Sequence, residues 1–147
     1  MAGQKYDALL LENQLCFPLY ACSREIIKGY RGDLEALGLT YTQYIVLLVI
    51  WEAKSISVRD LGRRLYLDSG TLTPVLKTLE KMKLITRCRS TEDERVLVVS
   101  LTKEGEAMRE EALDIPAHID ASIKLTADEK QTLYKLLYKA LAGTAEA

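Results

Sequence analysis

The chain is predicted to be mainly α-helical with a small β-wing: a winged helix-turn-helix set between N- and C-terminal dimerisation helices. Three observations carry this. Residues Ile56 to Thr102 read in order as a short helix, a turn, a second helix rich in small hydroxyl residues, and a charged β-hairpin. Apolar residues recur at helical spacing on either side of that stretch. The 147 residues, 48% of them hydrophobic, make one domain's worth of chain with enough apolar content for a real core. We therefore expect one domain over 1–147, with a DNA-binding core at about 42–102 and dimerisation helices at about 5–36 and 103–143.

Leu11, Leu15, Leu19, Cys22 and Ile26 fall on one helical face that Tyr30 continues. They predict a long N-terminal helix, entered or kinked near Pro18. After the turn Gly38-Leu39-Thr40-Tyr41-Thr42, the segment Tyr44 to Glu52 reads as a buried helix with Thr42 as its N-cap. Val58, Leu61 and Leu65 define the next helix, capped by Ser57, with Arg59, Arg63 and Arg64 on its other faces. Asp68-Ser69-Gly70 breaks the pattern as a turn carrying its own N-cap. Leu72, Val75, Leu76, Leu79 and Met82 resume a stripe, opposite Thr71, Thr73, Lys77, Lys81 and Lys83. Pro74 is expected in the first turn of this helix, where a missing N–H costs least. Leu84 to Arg89 and Val96 to Ser100 are strand-prone, and Ser90 to Arg95 is polar enough for an exposed hairpin tip. Thr102 caps a following helix whose Glu104 and Glu106 suit the helix dipole. Thr126-Ala-Asp-Glu129 is a capping box, and the last helix repeats Leu133, Leu136, Leu137, Ala140 and Leu141.

The charge pattern points to a partner. Arg59 to Arg89 holds eight basic and three acidic residues, a local balance of +5 in a chain whose total is −1. A basic patch on an acidic protein predicts binding to a polyanion. A helix entering the major groove needs a thin polar leading end, which Ser69, Thr71 and Thr73 supply, while Lys77, Arg63 and Arg64 would neutralise phosphates. The terminal helices carry apolar stripes that so small a core could not cover, and a two-fold operator needs a two-fold protein. A homodimer on a pseudo-palindromic double-stranded DNA operator is therefore expected.

Other classes are disfavoured. No run approaches the roughly 18 apolar residues of a membrane span, so no membrane partner is expected. The first residues lack the basic-then-apolar order of a signal peptide, which predicts a cytoplasmic protein. Three cysteines without a CxxC argue against a disulfide framework, and a single histidine, His118, against a His-based metal cluster. No cofactor or metal is expected.

The segment Asp93-Glu-Arg-Val-Leu-Val-Val-Ser-Leu-Thr102 resembles the D-x-R-x-x-x-V-x-L-T wing signature of the MarR family of transcriptional regulators. Leu11-Glu-Asn-Gln-Leu-Cys-Phe-Pro-Leu-Tyr20 resembles, more specifically, the organic hydroperoxide resistance regulator (OhrR) branch. Ser23-Arg-Glu-Ile-Ile-Lys-Gly-Tyr30, Gly38-Leu-Thr-Tyr-Thr-Gln-Tyr44 and Leu67-Asp-Ser-Gly-Thr-Leu-Thr-Pro74 match as well, so the resemblance covers nearly the whole chain.

The resemblance implies a repressor whose reactive cysteine is oxidised by organic hydroperoxides. Cys16 takes that position, and Tyr30 and Tyr41 match the tyrosines that, in the family, reach the cysteine from the other subunit. By residue chemistry alone a Cys on an apolar helix face such as Cys16 reads first as a small buried hydrophobe. Phenol O–H donors and a helix N-terminus would favour a thiolate, whose attack on a peroxide gives a sulfenic acid. With no cysteine after Cys88, the chain resembles the one-cysteine type, in which a low-molecular-weight thiol caps the sulfenic acid as a mixed disulfide. Cys22 is expected in the core, and Cys88 as a strand residue. Arg95 matches the wing arginine that enters the minor groove, and Asp93 the acid that braces it.

Two other readings compete. One is a MarR-type repressor released by a small phenolic or apolar ligand, with Cys16 structural. The other is a thiol peroxidase turning over through Cys16. That reading leaves the basic winged segment without a role, so the chain is not expected to be an enzyme.

Overall fold

The computed structural model describes residues 2–145, so both ends of the expected single domain, Met1 and Glu146-Ala147, lie outside the described residues. The helices are α1 (Ala2–Lys5), α2 (Cys16–Gly29), α3 (Arg31–Leu37), α4 (Tyr41–Ala53), α5 (Val58–Leu65), α6 (Ser69–Lys81), α7 (Lys103–Glu111), α8 (Ile115–Ser122) and α9 (Ala127–Ala145). The strands are β1 (Ser55–Ser57), β2 (Ile85–Arg89) and β3 (Leu97–Leu101), an antiparallel sheet in the order β1-β3-β2.

Helix α4 is apolar on every side and lies at the centre, with Tyr44, Val46, Leu47, Val49, Ile50 and Trp51 all buried. Leu61 from α5, Leu72, Leu76 and Leu79 from α6, Ile85 from β2 and Val99 from β3 close on it, each at most 1% exposed. The Trp51 Nε1–H donates to the carbonyl of Gly105 at 2.8 Å, which satisfies the buried indole and ties α7 to the core. Ala112, Ile115 and Ile119 are buried too. Part of the 103–143 segment thus packs inside the subunit.

The caps follow the sequence with two exceptions. Ser57, Asp68 and Thr102 each accept a backbone N–H three residues on, and Thr126 and Glu129 form the expected capping box. The cap of α4, however, is Thr40 rather than Thr42, because Thr40 and Gln43 bond reciprocally and start the helix two residues earlier. Pro74 stands sixth in α6, one turn later than expected, so the Gly70 carbonyl loses its helical donor.

The N-terminal segment also differs from expectation. In place of one helix from Leu11 to Tyr30, two single 3₁₀ turns at Asp7–Leu9 and Leu11–Asn13 precede α2. Asn13 and Gln14 side-chain amides donate to the carbonyls of Asp7, Ala8 and Leu10, holding the chain in those tight turns instead of an α-helix. Strand β1, which the sequence did not announce, pairs Ser55, Ile56 and Ser57 with Ser100, Val99 and Val98.

No single helix among the described residues is long and apolar enough to cross a membrane. The pair α3 and α4 reaches that composition together but bends by 68° at their junction, and α4 is the core helix.

Candidate nucleic-acid interface and cysteine site

The turn between α5 and α6 is closed by local bonds. Asp68 accepts the Thr71 N–H at 2.7 Å, and that backbone bond, with the Thr71 side chain second, holds the Asp68 carboxyl below its usual range. The Leu67 N–H returns to the Gly62 carbonyl at 3.0 Å. Gly62 has no side chain because the Leu67 carbonyl oxygen stands 2.7 Å from where a Cβ would sit. These contacts aim the leading end of α6 outward, with Ser69, Thr71 and Lys77 exposed and Thr73 half-buried.

Thr73 spends its hydroxyl proton on the Ser69 carbonyl at 2.7 Å, which leaves its oxygen as an acceptor. At the hairpin tip, Arg95 is 90% exposed and donates to Asp93 through Nε at 3.1 Å and through a terminal nitrogen at 3.3 Å. Asp93 also accepts the Arg95 backbone N–H, and the guanidinium is the main reason its carboxyl lies below the ordinary range. One groove of about 800 Å³ joins these parts: Ser69 and Thr73 of α6, Arg59 and Arg63 of α5, Asp93 and Arg95 of the wing. Four of the six expected DNA-facing residues therefore line one concave surface, with Thr71 and Lys77 exposed elsewhere on the same helix. Arg59 is the residue that sequence reasoning left unassigned; its place on the outer face of α5 was the available signal.

The basic patch is smaller than its sequence count. Arg64 is paired with Glu52 at 2.6 Å and Arg87 with Glu80 at 3.1 Å, while Arg63 stands 3.6 Å from Asp60. Outside those pairs, Arg59, Lys77, Lys81, Lys83 and Arg89 are exposed cations. Arg64 thus lies on the α4 side, beside Glu52, in an exposed pair that contributes little.

Cys16 is the first residue of α2 and is exposed, preceded by Leu15, which offers no side-chain cap. Around it the surface is apolar: Leu15 is 78% exposed and Phe17 44%. At the far end of α2, Tyr30, Tyr41 and Tyr44 form a cluster with ring centroids 5.0 to 6.3 Å apart. Burial and the neighbouring phenols push Tyr30 up to about 12, and burial raises Tyr41 and Tyr44 as well. All three stay protonated donors at neutral pH. Tyr44 was the member not singled out beforehand, although it lies one helical turn beyond Tyr41.

Cys16 and Tyr30 are not brought together within the subunit. Fourteen residues of helix separate them, about 21 Å at 1.5 Å per residue, far beyond the reach of a phenol. Cys22 is exposed, contrary to the core position expected, because α2 packs only one edge on α3 and α8. Cys88 is exposed on β2. Trp51 belongs to the core, while Phe17 and Leu19 lie on the surface.

The model of the transcriptional regulator SarA/Rot family matches residues 30–112. The organic hydroperoxide resistance transcriptional regulator of Bacillus subtilis is 49% identical over 137 residues, 93% of each chain. The chain belongs to the MarR family of transcriptional regulators. The regulator is also 45% identical over 123 residues to SarZ of Staphylococcus epidermidis, covering 84% of this chain and 83% of the other. Among solved structures, reduced AbfR bound to DNA superposes with a TM-score of 0.77 at 35% identity, over 93% of this chain and 96% of that one. Disulfide-formed AbfR superposes less well, with a TM-score of 0.63 at 34% identity over the whole of both chains. Escherichia coli MarR, as a cysteine variant complexed with operator DNA, gives 0.73 at 29% identity, over 84% and 90%. The regulator thus has the winged-helix fold of a DNA-binding family, and its relatives are transcriptional regulators, a non-enzymatic class.

Proposed function

We propose that the regulator is a homodimeric repressor that holds a pseudo-palindromic operator when reduced and releases it when an organic hydroperoxide oxidises Cys16. The observation that carries this reading is the separation of Cys16 from Tyr30 along α2, taken with the 49% identity to an organic hydroperoxide resistance regulator. A second copy laid antiparallel along α2 would offer its Tyr30 and Tyr41 to Cys16. Exposed Leu9, Leu11, Leu15 and the apolar stripe of α9 supply surface for that pairing.

The chemistry follows from the groups present. The Cys16 thiolate attacks one peroxide oxygen, the O–O bond breaks, and the departing alkoxide takes a proton and leaves as the alcohol. Protonated phenols donate to the thiolate before the step and to the new sulfenic oxygen after it. A low-molecular-weight thiol then attacks the sulfenic sulfur, forming a mixed disulfide and releasing water. The added group changes the tyrosine contacts at the subunit junction and so the spacing of the two α6 helices, which a two-site operator reads directly.

The test is operator binding by gel shift with reduced protein, then with one equivalent of an organic hydroperoxide, for wild type and Cys16→Ser. Release of the wild type alone supports the reading. Release of both variants, or of neither, refutes it.

A further inference from the structure

Helix α5 ends at Tyr66, whose backbone lies in the left-handed region at φ 55° and ψ 38°. The Leu67 N–H reaches back to the Gly62 carbonyl at 3.0 Å, the six-to-one bond of a Schellman turn with Tyr66 as its left-handed residue. Glycine is the usual occupant of that place, because a Cβ there crowds the following carbonyl oxygen. A bulky aromatic residue in this conformation is an outlier, and such strained backbone clusters at functional positions.

Packing does not account for the tyrosine. Tyr66 is 50% exposed, and its hydroxyl donates to no group among the described residues. The neighbour on α9 is Tyr138, whose phenol is raised first by Tyr134 and last by Tyr66, so α9 is near the ring without anchoring it.

The surface beside Tyr66 is cationic. The residue borders a groove of about 640 Å³ between α5 and α6, together with Arg59, Arg63 and Ser69. Those three also line the groove that holds Arg95 of the wing, so the two grooves share a wall. Arg59 and Arg63 stand four residues apart on one side of α5, and Tyr66 follows three residues later. Arg59 is exposed, and Arg63 is 3.6 Å from Asp60 in a pair more than half exposed, which leaves both charges available. Two cations followed by a neutral O–H donor match a run of phosphates: the arginines displace counterions, and the phenol fixes position without adding charge.

We propose that Tyr66 is a phosphate-binding residue, its hydroxyl donating to a backbone phosphate of duplex DNA next to those met by Arg59 and Arg63, and that the left-handed turn presents the ring there. The proposal rests on the reading that the face formed by α5, α6 and the wing holds DNA.

The test is fluorescence anisotropy of a labelled mixed-sequence duplex of about 30 base pairs, roughly three helical turns. It is run with the reduced full chain over a series of salt concentrations, for wild type, Tyr66→Phe and Arg63→Gln, with urea denaturation of each protein. Tyr66→Phe keeps the ring and should bind about tenfold more weakly at every salt concentration, with the salt slope and the urea midpoint of wild type. Arg63→Gln should bind more weakly and flatten the slope. Wild-type affinity in Tyr66→Phe beside a weakened Arg63→Gln overturns the tyrosine contact and leaves the DNA-facing surface in place. Wild-type affinity in both variants overturns that surface and the contact with it. A lowered urea midpoint in Tyr66→Phe makes the hydroxyl a structural bond and overturns the proposal as well.

Discussion

Glu80, near the end of α6, receives both the backbone N–H and a terminal guanidinium nitrogen of Arg87 on β2, each at 3.1 Å. The pair ties α6 to the first strand of the wing, so it fixes the angle between the helix and the hairpin. The Arg87 side chain is 18% exposed, and its buried Nε has no partner among the described residues. Arg87 hydrogen bonding, above all, lowers the Glu80 carboxyl below its ordinary 4.5. A lowered folded-state value means the pair stabilises above about 4.5 and loses that contribution as the pH falls through the lowered value. Glu80→Gln is therefore expected to lower the urea midpoint at neutral pH and to match wild type in acid. A difference that persists or grows in acid would contradict the pairing.

Gly62→Ala tests the turn. Alanine in a helix ordinarily gains about 0.5–1 kcal/mol over glycine. Here the added methyl meets the Leu67 carbonyl oxygen at 2.7 Å and Leu72 at 3.3 Å, so a net loss of about 1–3 kcal/mol is expected. Urea denaturation measures it; a stabilised variant would mean the turn relaxes freely.

Arg95→Ala should weaken operator binding roughly tenfold while leaving the thermal unfolding temperature unchanged. The arginine is 90% exposed and, among the described residues, its side chain bonds only Asp93 at the tip, so the fold does not depend on it. Unchanged affinity at physiological salt would remove it from the interface.

Much of this was legible beforehand, and the failures have local causes. Helices with a polar cap, such as α5 and α7, are written in adjacent residues, and Ser57 and Thr102 marked their starts. Strand β1 is only three residues long and exists because β3, 45 residues away in sequence at Ser55–Ser100, gives it a partner. The pairing of Arg64 was not visible for the same reason, since Glu52 lies on another helix. At the cysteine, periodicity put Cys16 and Tyr30 on one helix, but α2 starts at Cys16 and ends at Gly29 with Tyr30 as its C-cap, so the helix itself keeps them apart.

Tyr30→Phe keeps the ring packing and removes one O–H. Because Tyr30 is raised from 10.0 to about 12 in the folded chain, it contributes stability that is complete below pH 10 and is lost as the pH rises toward 12. Wild type should lose stability across that window by more than Tyr30→Phe does, measured by urea midpoints. Under the sensing reading the variant should also slow Cys16 oxidation by peroxide, read as sulfenic acid trapped per unit time. An unchanged rate would leave Tyr30 a packing residue only.

Leu137→Glu tests the dimer. On α9, Leu133, Leu137 and Leu141 repeat every four residues and are 38%, 41% and 36% exposed, with Leu136 beside them at 57%. So continuous an apolar stripe on a helix that packs little within its own subunit is the surface a second copy would cover. Sedimentation of the wild type should give twice the 16.5 kDa of the chain. A carboxylate in the middle of the stripe would have to be buried without a counter-charge, so the variant should run as a monomer. It should also lose operator affinity far beyond one contact, since two half-sites are no longer held by one molecule. A monomeric wild type would overturn the dimer and the route by which Cys16 meets a tyrosine.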